Sequence, residues 1–318
     1  MDFGQGARSD HLSTGREVIT GQDAVWVFNE YESVRHRLPA PRPVPASVRA
    51  ENLDAIADAF DVFLLDAFGV LNIGETAIPG VVERVAGLKA RGKQVLVVTN
   101  AAGYPSPVLH ARYKRLGYNF ETGDVVSSRM ALLRGLGDHA HRKWGMVAAP
   151  KFGREELPDS AIFLEDDPAA YTQAEGFLML GASAWSEARQ ALLEQALKDS
   201  PRQLLVGNPD LVAPVEAGLS REPGHYAHRL ATATATDPVF YGKPFPAIFD
   251  MARERIRPGV TDDRVVMVGD TLHTDILGGN AAGFRTALIQ GFGFFDGADP
   301  SSAIETSGIV PDFILERP

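Results

Sequence analysis

Val62-Phe63-Leu64-Leu65-Asp66-Ala67-Phe68-Gly69-Val70-Leu71 sets four apolar residues between Asp61 and Asp66, then delivers the second carboxylate into a glycine-containing turn. An apolar run of that length has the character of a strand buried on both faces of a parallel sheet. In open α/β sheets chemistry collects beyond the carboxyl ends of such strands, so Asp66 is expected at a strand end facing a site. Three further segments share the design. Val95-Leu96-Val97-Val98 runs into Thr99-Asn100, Val239-Phe240-Tyr241 into Gly242-Lys243-Pro244, and Val265-Val266-Met267-Val268 into Gly269-Asp270-Thr271-Leu272-His273-Thr274-Asp275.

Together these ends offer a nucleophilic carboxylate, small hydroxyl and amide groups for an oxyanion, one ammonium and a second pair of carboxylates. That set suits phosphoryl transfer. Asp66, Asp270 and Asp275 cannot all ionise side by side without a cation, and a few hard oxygen ligands favour Mg2+ that keeps some of its waters. Lys243 would hold Asp66 and a phosphoryl group in register as a point charge. Attack by Asp66 would form an aspartyl-phosphate and divide one difficult hydrolysis into two displacements. Singly, each residue has a plainer explanation: an Asp after an apolar run is usually a turn former or helix cap, and a lysine before proline usually a solvated loop residue. Their order along the chain argues against that plainer explanation.

The four segments, in this order, resemble the motifs of the haloacid dehalogenase (HAD) superfamily, with Asp66, Thr99, Lys243, and Asp270 with Asp275 at the motif positions. Thr99-Asn100 and Gly207-Asn208-Pro209-Asp210 narrow the resemblance to the class IIA subgroup of nucleotide, sugar and p-nitrophenyl phosphatases, over roughly residues 55 to 292. The resemblance implies a Rossmann-like, doubly wound parallel α/β core with a smaller α/β cap inserted between the second and third motifs. It implies catalysis by Asp66 and Lys243, and phosphate binding by Thr99, Asn100 and Lys243. Magnesium would be held by Asp66, the Phe68 carbonyl, Asp270 and Asp275, and Asn208 and Asp210 would make substrate-side contacts. The expected division is an N-terminal arm and Pro-rich connector (1–50), a core (51–137 and 207–318) and a cap (138–206) that closes over Asp66.

One position departs from the pattern. The phosphatases resembled here carry a second Asp two residues after the nucleophile, and this chain has Phe68. That Asp would protonate the leaving oxygen and later deprotonate water, typically worth about 10²–10⁴-fold. A phenyl ring does neither, although its backbone carbonyl remains available to a metal. Three readings stay open: a phosphohydrolase for leaving groups that need little protonation or for an acid borrowed from His273 or Glu75; hydrolysis of a carbon–halogen or carbon–phosphorus bond; and a non-catalytic module binding a phosphorylated metabolite or a partner. Two unneutralised carboxylates at Asp270 and Asp275 speak against a haloacid substrate.

Bulk properties exclude other classes. With 318 residues the chain is long enough for two domains. With 31 basic against 41 acidic residues the net charge is -10, which offers no footprint for nucleic acid or an anionic membrane. No run approaches membrane-spanning length and the first residues lack an apolar secretory core, so the cytoplasm is the expected compartment. Zero cysteines exclude thiolate catalysis and cysteine-based zinc sites. Gly291-Phe292-Gly293-Phe294 lacks the third glycine of a dinucleotide loop, and Gly242-Lys243 lacks P-loop spacing. The arm suits a helix from Asp23 with Val25, Phe28, Val34 and Leu38 gathered on one face, followed by an extended stretch through Pro39 to Pro45. Its Trp26, Phe28 and Tyr31 suit packing on the core or self-association as a homo-oligomer. The partner expected from all this is a small phosphorylated metabolite.

Overall fold

The computed structural model describes residues 18–19, 24–149, 154–215 and 218–318. Most of the polar first two dozen residues and all but Arg154 of the polar stretch 150–154 lie outside these residues. Two parallel sheets organise the chain. The larger has seven strands in the order Val48–Ala50, Phe313–Leu315, Arg285–Ile289, Val265–Gly269, Val62–Leu65, Gln94–Thr99 and Val125–Ser127. Its central strands are buried along their whole length, as at Val62–Leu65 and Val265–Gly269, because helices cover both faces. One apolar layer joins Phe63 and Leu65 to Val81, Val85 and Leu109; the other joins Leu64 and Met267 to Ile248, Phe249 and Phe284. Each such side chain contributes about 1.5–3 kcal/mol by leaving water.

The smaller sheet has five parallel strands in the order Val239–Phe240, Gln203–Val206, Gly176–Met179, Trp144–Val147 and Ile162–Phe163. It takes Val239–Phe240 as an edge strand, and Tyr226, Ala227 and Leu230 of helix Pro223–Ala233 share its apolar cluster with Phe177 and Leu204. Residues 223–240, which the sequence reading assigns to the core, are therefore built around the smaller sheet. The two residues of Val239–Phe240 pair in register with Leu205 and Val206 instead of entering the large sheet.

The amino-terminal segment also differs from a simple appendage. Val48–Ala50 extends the large sheet as an edge strand beside Phe313–Leu315. Helix Ala24–Ser33 buries Val27, Phe28 and Tyr31, with Phe28 set among Leu272, Ile276, Leu277, Phe295 and Ile309. Val18–Ile19 pairs with the hairpin formed by Val212–Val215 and Gly218–Arg221. The connector through Pro39 to Pro45 forms neither helix nor strand, and Asn52 caps helix Leu53–Ile56 by accepting from the amides of Asp54 and Ala55. No helix among the described residues is long and apolar enough to cross a membrane.

Candidate active site

Three neighbouring strands of the large sheet end side by side because their registers match: Leu65 faces Val268 on one side and Val97 on the other. Asp66, Thr99 and Asp270 follow from this at one edge. The turn after Asp66 closes through Leu71 N–H donating to Ala67 O at 2.8 Å and Gly69 N–H donating to Asn72 O at 3.0 Å. Gly69 is needed there: φ is +72°, and a Cβ would lie 2.6 Å from Asp270 Cγ. Asp275 sits on a wide, π-helical turn, Leu272–Ile276, that precedes helix Leu277–Ala281 and curls the carboxylate back. Its Oδ2 accepts from Thr271 N–H at 3.2 Å.

Lys243 enters from the smaller sheet's last strand and is 1% exposed. Its Nζ lies 2.6 Å from Asp66 Oδ1 and 2.7 Å from Asp275 Oδ1. Burial alone would lower its pKa, but Asp275 and Asp66 outweigh burial and hold it raised. Asp270 accepts from Phe294 N–H at 2.8 Å and from the Thr271 hydroxyl at 3.1 Å. One oxygen each of Asp66, Asp270 and Asp275 lie within 4.8 Å of one another. Burial first, and their carboxylate neighbours next, raise the pKa of Asp270; burial also raises that of Asp275 against the pull of Lys243. A single ammonium against three crowded carboxylates leaves negative charge to be met by protons or by a cation. An all-oxygen donor set this small fits magnesium.

Asp66, Phe68, Thr99 and Asn100 line one cavity of about 400 Å³ together with Asn208, Asp210, Lys243 and Asp270; Asp275 lies buried beneath it. Asn100 is more a brace than a free arm. Its Oδ1 accepts from Lys243 N–H at 2.7 Å, while its Nδ2 donates to Asp210 Oδ1 at 2.8 Å and Lys243 O at 3.0 Å. Gly242 permits this contact, since a Cβ would stand 2.4 Å from that Oδ1. Asn208 accepts from Asp210 N–H at 3.0 Å and donates to Glu222 at 3.3 Å. Burial pushes the Asp210 carboxyl up to about 7, against the hydrogen bond from Asn100.

Neither expected substitute acid is in place. His273 Nε2 lies 2.6 Å from Glu32, and its ring stacks on Tyr31 at 5.1 Å, so it docks the amino-terminal helix. Glu75 is exposed and paired with Arg112 and Arg115 at 3.1 and 3.8 Å. The cap was expected to place side chains above Asp66, yet among the described residues none of 138–206 lines the cavity. Asp166 is spent on Arg189 at 2.8 Å and Asp167 caps helix Pro168–Gln173. The upper wall comes instead from Val27 and Tyr31 of the amino-terminal helix, from Val212 and Leu219 of the hairpin, and from Phe294. The arm's aromatics signalled burial; nothing in the sequence signalled where.

Matches to known proteins agree with this geometry. A haloacid dehalogenase-like hydrolase family model matches residues 63–160 and a HAD-hydrolase-like model residues 240–316. Human chronophin is 30% identical over 269 residues, covering 80% of this chain and 89% of its own. The chain belongs to the haloacid dehalogenase-like hydrolases. Human glycerol-3-phosphate phosphatase, another relative of this HAD chain, is 29% identical over 297 residues, covering 84% of this chain and 91% of its own. The crystal structure of a glycerol phosphate phosphatase from Mycobacterium tuberculosis in complex with magnesium shares the HAD fold. Its TM-score is 0.64 at 24% identity, over 82% of this chain and 76% of that one.

Proposed function

We propose that this HAD hydrolase is a magnesium-dependent phosphatase of small phosphorylated metabolites that works through an aspartyl-phosphate on Asp66. The observation that carries the reading is the buried Lys243 ammonium bridging Asp66 and Asp275 with Asp270 beside them, at the floor of a metabolite-sized cavity. Asp66, Asp270, Asp275 and the Phe68 carbonyl are the groups that would hold magnesium, which supplies charge neutralisation for a phosphoryl group. Lys243 holds Asp66 in place through their ion pair, and adds positive charge where the phosphoryl oxygens gather. Thr99 offers its hydroxyl to the same oxygens, while Asn100 fixes the Lys243 and Asp210 loops so that little reorganisation accompanies reaction. Asp66 displaces the leaving group at phosphorus, and water then attacks the acyl phosphate and regenerates the carboxylate.

Phe68 restricts the substrates. Without a proton donor at that position, esters whose leaving oxygen tolerates negative charge are favoured. The same residue supports a second reading, a phospho-metabolite-binding module. The two separate in a magnesium-dependent assay over a panel of phosphate esters. Turnover by the wild type, abolished by Asp66→Asn and by chelation, supports the phosphatase. Tight binding of a phosphorylated ligand with no turnover of any ester contradicts it.

A further inference from the structure

Among the described residues none of 138–206 lines the cavity, so other elements shape it above the phosphoryl position. The amino-terminal helix Ala24–Ser33 does so. Val27 (3% exposed) and Tyr31 (4% exposed) both line the cavity, and both belong to one apolar cluster with Val34 and Leu211, against which Val212, Leu219 and Phe294 pack. The helix is held on its other side by Phe28 among Leu272, Ile276 and Leu277, and by the Tyr31 ring stacked on His273 with an interplanar angle of 10°. Tyr31 Oη also accepts from Leu211 N–H at 3.3 Å, tying the helix to the turn that follows Asp210. This is a packed wall, continuous with the loop whose Phe294 amide holds Asp270.

The chemistry of the wall is as telling as its position. Val27, Tyr31, Val212, Leu219, Phe68 and Phe294 present hydrocarbon and ring surface. The charged residues that line the cavity outside the catalytic cluster are Asp210, Glu222 and Arg112, and Arg112 is shared between Glu75 at 3.1 Å and Gly74 O at 2.8 Å. A leaving group carrying an anionic substituent would meet two acids and one guanidinium already engaged. A flat apolar one would meet aromatic faces.

We propose that the amino-terminal helix is the specificity wall of the leaving-group subsite, with Val27 and Tyr31 selecting a neutral, flat, apolar leaving group of the aryl class. This rests on the phosphatase reading of the floor. It also agrees with Phe68, since a phenolate departs without the proton that an alkoxide needs.

Steady-state kinetics on phenyl phosphate, 1-naphthyl phosphate and phosphoglycolate, with calorimetric binding of phenylphosphonate and phosphonoacetate, test the wall on the full-length chain. The wild type is expected to favour phenyl phosphate over phosphoglycolate in kcat/KM by about tenfold or more, the scale on which pocket contacts discriminate. Val27→Ala, which enlarges the wall, is expected to raise the naphthyl-to-phenyl ratio about tenfold, chiefly through KM. Tyr31→Leu, which removes the flat face, is expected to raise KM for phenyl phosphate and weaken phenylphosphonate. A purely structural role would lower all esters together and leave the ratios alone. Preference for phosphoglycolate, or unchanged ratios in both variants, overturns the proposal. If no ester is turned over yet phenylphosphonate binds better than phosphonoacetate and loses that advantage in Tyr31→Leu, the phosphatase reading falls and the wall stands.

Discussion

Phe68 separates two tasks that a single aspartate would combine. Its backbone carbonyl is there to offer a metal whatever the side chain is, whereas Phe68 lines the cavity with a ring that carries no transferable proton. Phe68→Asp is therefore expected to raise kcat on alkyl phosphates by about 10²-fold while changing aryl phosphates little, because only the alkoxide needs protonation to leave. Parallel pH–rate profiles of the two enzymes on one alkyl and one aryl ester read this directly. An unchanged alkyl rate would mean that the proton already comes from elsewhere, and Asp210, a carboxyl pushed up to about 7 inside the cavity, would be the residue to test. At this scale the sequence was informative: Asp66, Asp270 and Lys243 each close a short apolar run, and order along the chain identified them. His273 and Glu75 were candidate acids only by adjacency to a motif, which does not show which way a side chain points; Glu75 is exposed, as a solvated loop residue would be. His273 turns away from the cavity onto Glu32 and Tyr31.

Helix Ala24–Ser33 shows what sequence reveals and withholds about an element. The helix is there, but the expected face of Val25, Phe28, Val34 and Leu38 is not the one it buries. Val25 is 66% exposed, Val34 and Leu38 follow the helix end, and the buried residues are Val27, Phe28 and Tyr31. An amphipathic pattern carries no address for the surface it covers. Phe28→Ala removes the ring packed on Leu272, Ile276 and Leu277 and is expected to cost about 3 kcal/mol, the lower end for emptying a buried phenylalanine site. Urea unfolding checks the value, and a loss near zero would mean that the helix is undocked in solution. The smaller sheet was harder to delimit. The apolar runs 145–148, 161–164 and 177–180 each overlap one of its strands, whereas Val239–Phe240 is two residues long and fits either sheet by composition. Only register with Leu205 and Val206 decides it.

Across the whole molecule, two sets of buried groups oppose each other with pH. His225 and His228 are pushed down to about 4 by burial, so they fold neutral. The unfolded chain protonates them near about 6.5, and their contribution, present above that pH, is lost as pH falls toward 4. Burial raises Asp210 to about 7 and raises Asp270 and Asp275 as well. Without metal the folded protein keeps protons that the unfolded chain releases above about pH 4, and that contribution is lost as pH rises through the raised values. Magnesium removes the Asp270 and Asp275 part of this term by displacing their protons. Thermal melts between about pH 4.5 and 7 are expected to show a shallow dependence in EDTA and a midpoint rising with pH in excess magnesium. Identical slopes in the two buffers would speak against a cation among these carboxylates.

The catalytic predictions depend on Asp66 being an attacking group that Lys243 and a cation hold in place. The most direct test is mass spectrometry of peptides from enzyme mixed with phenyl phosphate and magnesium and quenched in acid within milliseconds. The account predicts one added phosphoryl group on the peptide containing Asp66, absent in EDTA and in Asp66→Asn. Turnover of the ester with that peptide unmodified at every quench time, or a phosphoryl group on another residue, would contradict it.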